Sequence, residues 1–383
     1  MSISQFLFMA DAHIKIRTWT NNTILQRDAY AALRLIQGSV GALPMSDLVI
    51  GGDWFDSNRP TSTDTLVTAN FLKGFSDLQR VWYISGNHDN VSPSFFETLS
   101  VMDSSIRFIH LSDDIQRMNG RTFIAGVDWM PSGEALLDRI AGIIANWSTR
   151  KTRTPEDRLY LVLHTSFRHL LGFDGAYKLT MEDVDAMCKG EHVTVLVGDI
   201  HLRDTSVGKN GTVFHSPGSL YPLSYDKIFE PAYVSLIDYT TGLIDDVLCN
   251  VRDYYEATVD EIPDGNVAAF LETLPRSTQL ISGVEPLPAF LRIVLNTDRV
   301  PSLEGVDTSK YVVQLARVDA DEDRPLITVG NSTYSLNQAV LDEAKLEGDD
   351  ELVTMIESVI TSDDVLQTTE DLLDQWGVER VHQ

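Results

Sequence analysis

The stretch DLVIGGDWFD, residues 47–56, decides the fold. An apolar run of strand length stops at two glycines, and two aspartates follow within the next four positions. Short apolar runs bounded by glycine read as buried strands, and glycine lets the backbone turn sharply and pass close to its neighbours. FLFMAD (6–11) and VWYISGN (81–87) repeat the pattern, and RLYLVLH (158–164) and HVTVLVGD (192–199) extend it. Between the first three runs, TILQRDAYAALRLIQ (23–37) and TDTLVTANFLKGFSDL (63–78) carry apolar residues at helical spacing,. Strands alternating with helices predict an α/β fold.

Further elements make one sheet too small. IQRMNGRTFIAGV (115–127) reads as a hairpin turning at Asn119-Gly120,. TSVGKNGTVFHS (205–216) and YVSLIDYTTGLIDDVLCNV (233–251) read as two more, and helices are expected near 132–146 and 180–189. The expectation is two packed β-sheets flanked by helices. After about residue 255 the texture changes. PAFLRIVLN (288–296) and YVVQLARVD (311–319) predict strands of a small α+β unit, and the chain turns helical and acidic from Ser335. The predicted organisation is a catalytic domain over 1–254, a small α+β capping domain over 255–330 and an acidic helical tail over 331–383.

Composition narrows the function. No apolar run approaches the roughly 20 residues that span a bilayer. The N-terminus lacks the features of a signal peptide, so no membrane association is expected. Two cysteines without CxxC spacing argue against a thiolate metal site and point to a reducing cytoplasm,. The net charge of −26 lowers the expectation of nucleic-acid binding, because phosphate contacts need Lys and Arg. The acid is concentrated in the tail, where 331–383 holds 13 acidic and 2 basic residues, whereas WSTRKTRTPEDR (147–158) is basic. Carboxylates that hold metal ions also add negative charge without repelling a phosphate.

The strand ends carry Asp11 and His13, Asp53 and Asp56, Asn87, His88 and Asp89, His164, and Asp199 and His201. Loops at the carboxyl ends of strands line the ligand crevice of an open α/β sheet. Asp, His and Asn without cysteine suit divalent manganese, iron or zinc. Seven such groups are too many for one ion that keeps an open position, but they suit two. A two-ion centre clamps a phosphate ester. Asp53, on a central strand, is the candidate bridge.

This order of DxH, GDxxD, GNHD, His and a closing histidine element resembles the calcineurin-like metallophosphoesterase superfamily, which implies a four-layer fold. More narrowly, GGDWFDSNRPTSTDT (51–65), SGNHDN (85–90) and SPGSLYPLS (216–224) are similar to segments of the SbcD-type DNA-repair nucleases, the family of the meiotic-recombination nuclease. The resemblance covers roughly residues 5–240. It implies Asp11, His13 and His201 on one ion, Asn87 and His164 on the other, and Asp53 bridging. His88 would donate a proton to the leaving oxygen or stabilise the transition state, with Asp56 as its orienting partner, and Asp89 would support the loop. Two Mn2+ ions are the implied cofactors, with Mg2+ or Fe2+ as substitutes. DNA, an SbcC-type coiled-coil ATPase docking on the tail, and a second copy in a homodimer are the implied partners. Lys15, Arg17 and Arg59 flank the motif loops and are candidates for contacts to a DNA backbone.

Asp199 departs from the family, which closes with Gly-His-x-His and uses the first histidine on the second ion. Three readings stand open: an oxygen ligand giving a harder site, a loosely held second ion, or replacement by His215. The function expected is a two-metal DNA phosphodiesterase of a repair or recombination complex. A phosphatase or phosphodiesterase acting on nucleotides or phosphoproteins, and a catalytically weakened scaffold for the ATPase, are the rivals.

Overall fold

The computed structural model describes residues 5–15, 28–92, 94–102, 105–112, 114–167, 179–223, 230–275, 287–295, 301–317 and 327–329; Arg17 and the tail after 330 lie outside them. The chain divides into units Met1–Thr328 and Val329–Gln383, and all the candidate ligands belong to the first. Four parallel strands, β1 (Gln5–Met9), β2 (Met45–Gly51), β3 (Arg80–Ile84) and β4 (Arg107–His110), lie in order, and antiparallel β11 (Tyr233–Asp238) and β12 (Ile244–Leu248) extend the sheet beyond β1. The second sheet contains β5 (Gln116–Asn119), β6 (Thr122–Val127), β7 (Arg158–His164), β8 (Val193–Gly198), β9 (Arg203–Val207) and β10 (Val213–Pro217), in the order β5-β6-β7-β8-β10-β9. Its centre is parallel and its two edge strands are antiparallel.

Residue alternation shows how the layers meet. Phe6, Phe8, Val49, Trp82 and Ile84 of the first sheet share one buried cluster with Ile124, Tyr160, Val162 and Leu196 of the second. The opposite parity of β7, Leu159, Leu161 and Leu163, packs with Leu136, Ile140, Ile143 and Trp147 of the helix Gly133–Ser148. Each such side chain contributes about 1.5–3 kcal/mol when fully buried. This is the expected α/β architecture, two mixed sheets flanked by helices. The two-residue period that puts Tyr160 and Val162 between the sheets puts His164 there too, at the carboxyl end of β7.

The helix Ser62–Lys73 starts at Thr61, whose Oγ1 accepts from Asp64 N at 3.2 Å while Asp64 Oδ2 accepts from Thr61 N at 2.8 Å. Such a reciprocal cap is worth about 1 kcal/mol. The helix ends well short of the expected residue 78, at Gly74, where a side chain would collide with the Gln37 amide. The helix expected over 23–37 is described over Asp28–Val40. Strand β4 and the helix Phe95–Met102 go beyond the sequence expectation; each is too short to show a period. A third sheet, β13 (Tyr254–Thr258), β14 (Ala289–Leu295), β15 (Tyr311–Arg317) and β16 (Ile327–Val329), has its own core around Leu291, Ile293, Val313 and Leu315. No helix among the described residues is long and apolar enough to cross a membrane.

Candidate metal centre

The carboxyl ends of β1, β2, β3, β7 and β8 meet at one place, and the backbone there is unusual. Asp11, His13, Asp53, Asp199 and His201 all have positive φ, at 51°, 41°, 48°, 91° and 58°. A non-glycine residue in this region costs on the order of 1–3 kcal/mol and persists where surrounding structure imposes it. The imposition is visible as hydrogen bonds: His13 N and Ile14 N donate to the carbonyls of Asp53 and Trp54 at 2.9 and 2.8 Å, and Tyr221 Oη donates to the His13 carbonyl at 2.8 Å. Close approach needs glycine at two further points. A Cβ on Gly86 would lie 2.1 Å from Asp53 Oδ1, and one on Gly198 would lie 2.4 Å from the Gly51 carbonyl.

Asp53 sits at the middle. Its Oδ2 is 3.5 Å from His13 Nε2 and 3.3 Å from His164 Nε2, while its Oδ1 accepts from His88 N at 2.8 Å. On one side, His13 Nε2 faces His201 Nε2 at 3.1 Å, and His201 Nε2 is 3.9 Å from Asp11 Oδ1. On the other, His164 Nε2 faces Asn87 Oδ1 at 3.1 Å and Asp199 Oδ1 at 3.7 Å. Ligands held about 2.1 Å from an ion are about 3.0 Å apart along an octahedral edge and about 3.4 Å along a tetrahedral one. The shorter separations match the spacing of ligands around a bound cation, and Asp53 Oδ2 would be placed to serve an ion on either side.

The ring orientations agree. His164 Nδ1 donates to the Gly51 carbonyl at 2.8 Å, which turns Nε2 towards the carboxylates, where it could ligate an ion once its proton is displaced,. His13 Nδ1 is 3.0 Å from Asp56 Oδ1, the outer carboxylate that fixes a ligand histidine's tautomer,. Asp56 Oδ2 in turn pairs with Lys15 Nζ at 2.9 Å.

Electrostatics point the same way. Burial pushes Asp11 up to about 8, with the charges of Asp53 and Asp199 adding and His164 opposing. Burial also disfavours charge on Asp53, yet the hydrogen bond and charge of His164, with His13 and the His88 N–H, hold it at about 2. His164 is pushed up to about 10, the Asp53 contact and the Asp11 and Asp199 charges overcoming the burial that works against it. Burial and the neighbouring His13 push His201 down to about 3. A dry pocket with three carboxylates forces protons onto Asp11 and His164, and divalent cations relieve that repulsion. The donor set therefore fits a two-cation centre, and among the described residues three overlapping groups have ligand atoms close enough to hold an ion: Asp11, His13 and His201; Asp11, Asp53 and His164; His13, Asp56 and His88.

No family model matches the sequence, and no curated protein matches it. A dimetal phosphatase from Danio rerio is similar over 65% of this chain and 99% of its own, at 12% identity and a TM-score of 0.43. A second crystal structure is similar over 65% of this chain and 100% of its own, at 11% identity and 0.41. Likenesses this slight carry no argument about the chain.

The structure brings Asp11, His13, Asp53, Asp56, Asn87, His88, His164, Asp199 and His201 together. Asp89 accepts from Trp54 N and Gly86 N, both at 2.8 Å, and so ties two motif loops to each other. Three expectations change. The carboxylate of Asp56 serves His13, not His88; it is the Asp56 carbonyl that accepts from His88 Nδ1 at 3.0 Å. The cause is the bridge between Ile14 and Phe55, which lays the two loops side by side. Lys15 is engaged by Asp56, whereas Arg59 stands on an exposed turn. His215 does not replace Asp199: it is buried in β10, with Nδ1 2.8 Å from Thr205 Oγ1 and Nε2 2.7 Å from Ser235 Oγ. Sequence reasoning missed Ser166, whose Oγ donates to Asp199 Oδ2, and gave Tyr221 no role although it lies in SPGSLYPLS.

Proposed function

We propose that this chain is a two-ion phosphodiesterase acting on DNA, the nuclease subunit of an SbcCD-type repair or recombination complex. The observation that carries the chemistry is Asp53 Oδ2 standing between His13 Nε2 and His164 Nε2. Asp11, His13 and His201 would hold one ion, Asn87, His164 and Asp199 the other, and Asp53 both. Bound there, two divalent ions such as Mn2+ supply positive charge that clamps a phosphate ester and makes water a better nucleophile. Hydrolysis puts the water oxygen on phosphorus, breaks one P–O bond and requires a proton at the departing oxygen. His88 is exposed, and its Nδ1–H is committed to the Asp56 carbonyl. Protonated at Nε2, it can give that proton away without losing its anchor.

The choice of DNA rests on the resemblance of FDSNRPTS (55–62) and its companion segments to the nuclease family. One observation favours the rival, a phosphoesterase with a smaller substrate: Lys15 is paired with Asp56 at 2.9 Å, so a DNA phosphate would have to compete with Asp56 for it. The test offers the purified chain with Mn2+ to linear duplex DNA, single-stranded DNA and bis-p-nitrophenyl phosphate. Cleavage of DNA, with the small diester a poor substrate, supports the nuclease reading. Turnover of the small diester with DNA untouched supports the rival, and no turnover of any substrate by a chain that binds two ions supports a scaffold.

A further inference from the structure

We infer that Ser166 is a positioning residue that fixes Asp199 as an oxygen ligand of the second ion, and that the pair makes this position selective for hard divalent cations. The inference rests on the two-ion reading above and assigns a residue that reading does not need.

The two oxygens of Asp199 have different neighbours. Oδ2 accepts the Ser166 hydroxyl proton. Oδ1 lies 3.7 Å from His164 Nε2, the nitrogen on which Asn87 Oδ1 and Asp53 Oδ2 converge at 3.1 and 3.3 Å. A carboxylate with one oxygen occupied this way presents the other to a single ion. The rest of the residue is pinned as well: its φ is 91°, and its N–H donates to both carboxylate oxygens of Asp11, at 2.9 and 3.0 Å. Ser166 is itself buried and follows His164 by two residues, so the ligand histidine and the clamp belong to one short segment.

The consequence is an asymmetric pair. The first position gathers two imidazole nitrogens, from His13 and His201, with oxygens of Asp11 and Asp53. The second gathers one nitrogen, from His164, with oxygens of Asp53, Asn87 and Asp199. Oxygen-rich sets suit magnesium and manganese, whereas nitrogen donors suit zinc. Without the Ser166 bond, Asp199 could turn either oxygen to water, and the second ion would lose a fixed ligand.

The full chain is titrated calorimetrically with Mn2+ and, separately, with Zn2+, while electron paramagnetic resonance counts spin-coupled Mn2+ pairs. The unaltered chain takes up two Mn2+. Ser166→Ala weakens the second Mn2+ step by about 10–100-fold, the usual cost of losing an outer-sphere partner, and leaves the first step unchanged. Ser166→Thr keeps a hydroxyl and restores most of the loss. Asp199→His shifts the second step towards Zn2+. A second Mn2+ step unchanged in Ser166→Ala, or both steps weakened equally, overturns the inference. If Ser166→Ala does not fold, Asp199→Asn removes the anionic oxygen at constant shape, and an unchanged second step there overturns it too. An unaltered chain that never takes up more than one ion defeats the two-ion reading itself, a distinguishable result.

Discussion

Gly86→Ala adds one methyl group and puts it where Asp53 is. The new Cβ would lie 2.1 Å from Asp53 Oδ1, 2.6 Å from its Cγ and 2.5 Å from its backbone nitrogen. Ordinary contact is about 3.4 Å or more, so the carboxylate must retreat by about 1 Å. It cannot do so freely. Oδ1 accepts from His88 N at 2.8 Å, and Oδ2 sits between the two imidazoles. Losing a hydrogen bond to a charged acceptor costs about 1.5–3 kcal/mol, and displacing a reacting constellation by about 1 Å costs about 100-fold in rate. Gly86→Ala is therefore expected to fold, to lose at least one bound Mn2+ and to lose phosphodiesterase activity by about 100-fold or more. Gly142→Ala is the control, because that glycine lies in the helix Gly133–Ser148 with nothing within 4 Å of the added methyl. It should stabilise the chain by about 0.5–1 kcal/mol and leave activity alone. The assays are metal counting after dialysis, initial rates on a phosphodiester, and urea unfolding. A folded Gly86→Ala protein with two ions and full activity would refute the placement of Asp53 as the shared ligand.

Three more outcomes are expected. Metal affinity should fall as pH falls, because Asp11 at about 8 and His164 at about 10 both carry protons at neutral pH that the ions must displace. With about two protons released, the overall constant for two-ion binding drops by about 100-fold per pH unit below 8, and Mn2+ titrations at pH 6 and 7 that give equal constants would contradict this. His88→Ala should lower kcat by about 100-fold or more while DNA or diester binding and the metal count stay close to the parent, so retained turnover removes His88 as the acid. Asp28→Ala should destabilise the fold by about 3–5 kcal/mol in urea unfolding, because Asp28 meets buried Arg252 at 2.5 Å and Tyr254 Oη at 2.6 Å; Arg121→Ala, which breaks the exposed 3.7 Å pair with Glu156, should leave the unfolding midpoint close to that of the parent,.

The strand ends were legible in the sequence because the signals there are local. A two-residue period, a glycine where another chain passes close, and an aspartate or histidine just beyond the apolar run are properties of about ten consecutive residues. DLVIGGDWFD marks Asp53 as a strand-end carboxylate, and its central place among the five strand ends made it the candidate bridge. The hairpins at Gly120, at 205–216 and at 233–251 were legible for the same reason. What was not legible depends on how two loops from distant positions lie against each other. The partner of Asp56 is set by the pairing of Ile14 with Phe55, 41 positions apart. The support of His13 by Tyr221 and of Asp199 by Ser166 crosses the same kind of gap, 208 and 33 positions.

That division bears on Asp199. In the sequence it was a histidine position occupied by an acid, open to reading as an oxygen ligand, a loosely held ion or a site served by His215 instead. In three dimensions its N–H is held by Asp11, one oxygen is held by Ser166 and the other faces the nitrogen shared with Asn87 and Asp53. A degenerate position has no reason to keep a left-handed backbone at φ 91°, since relaxation would regain on the order of 1–3 kcal/mol,. Asn87 Oδ1 at the same focus is an oxygen too, so on the proposed reading Asp199 would continue a trend in the second position rather than interrupt it. The comparison of Asp199→His with Asp199→Asn separates a site that selects its ion from one that merely tolerates it: selection requires the histidine to change which metal binds second, and the asparagine to weaken that step for Mn2+.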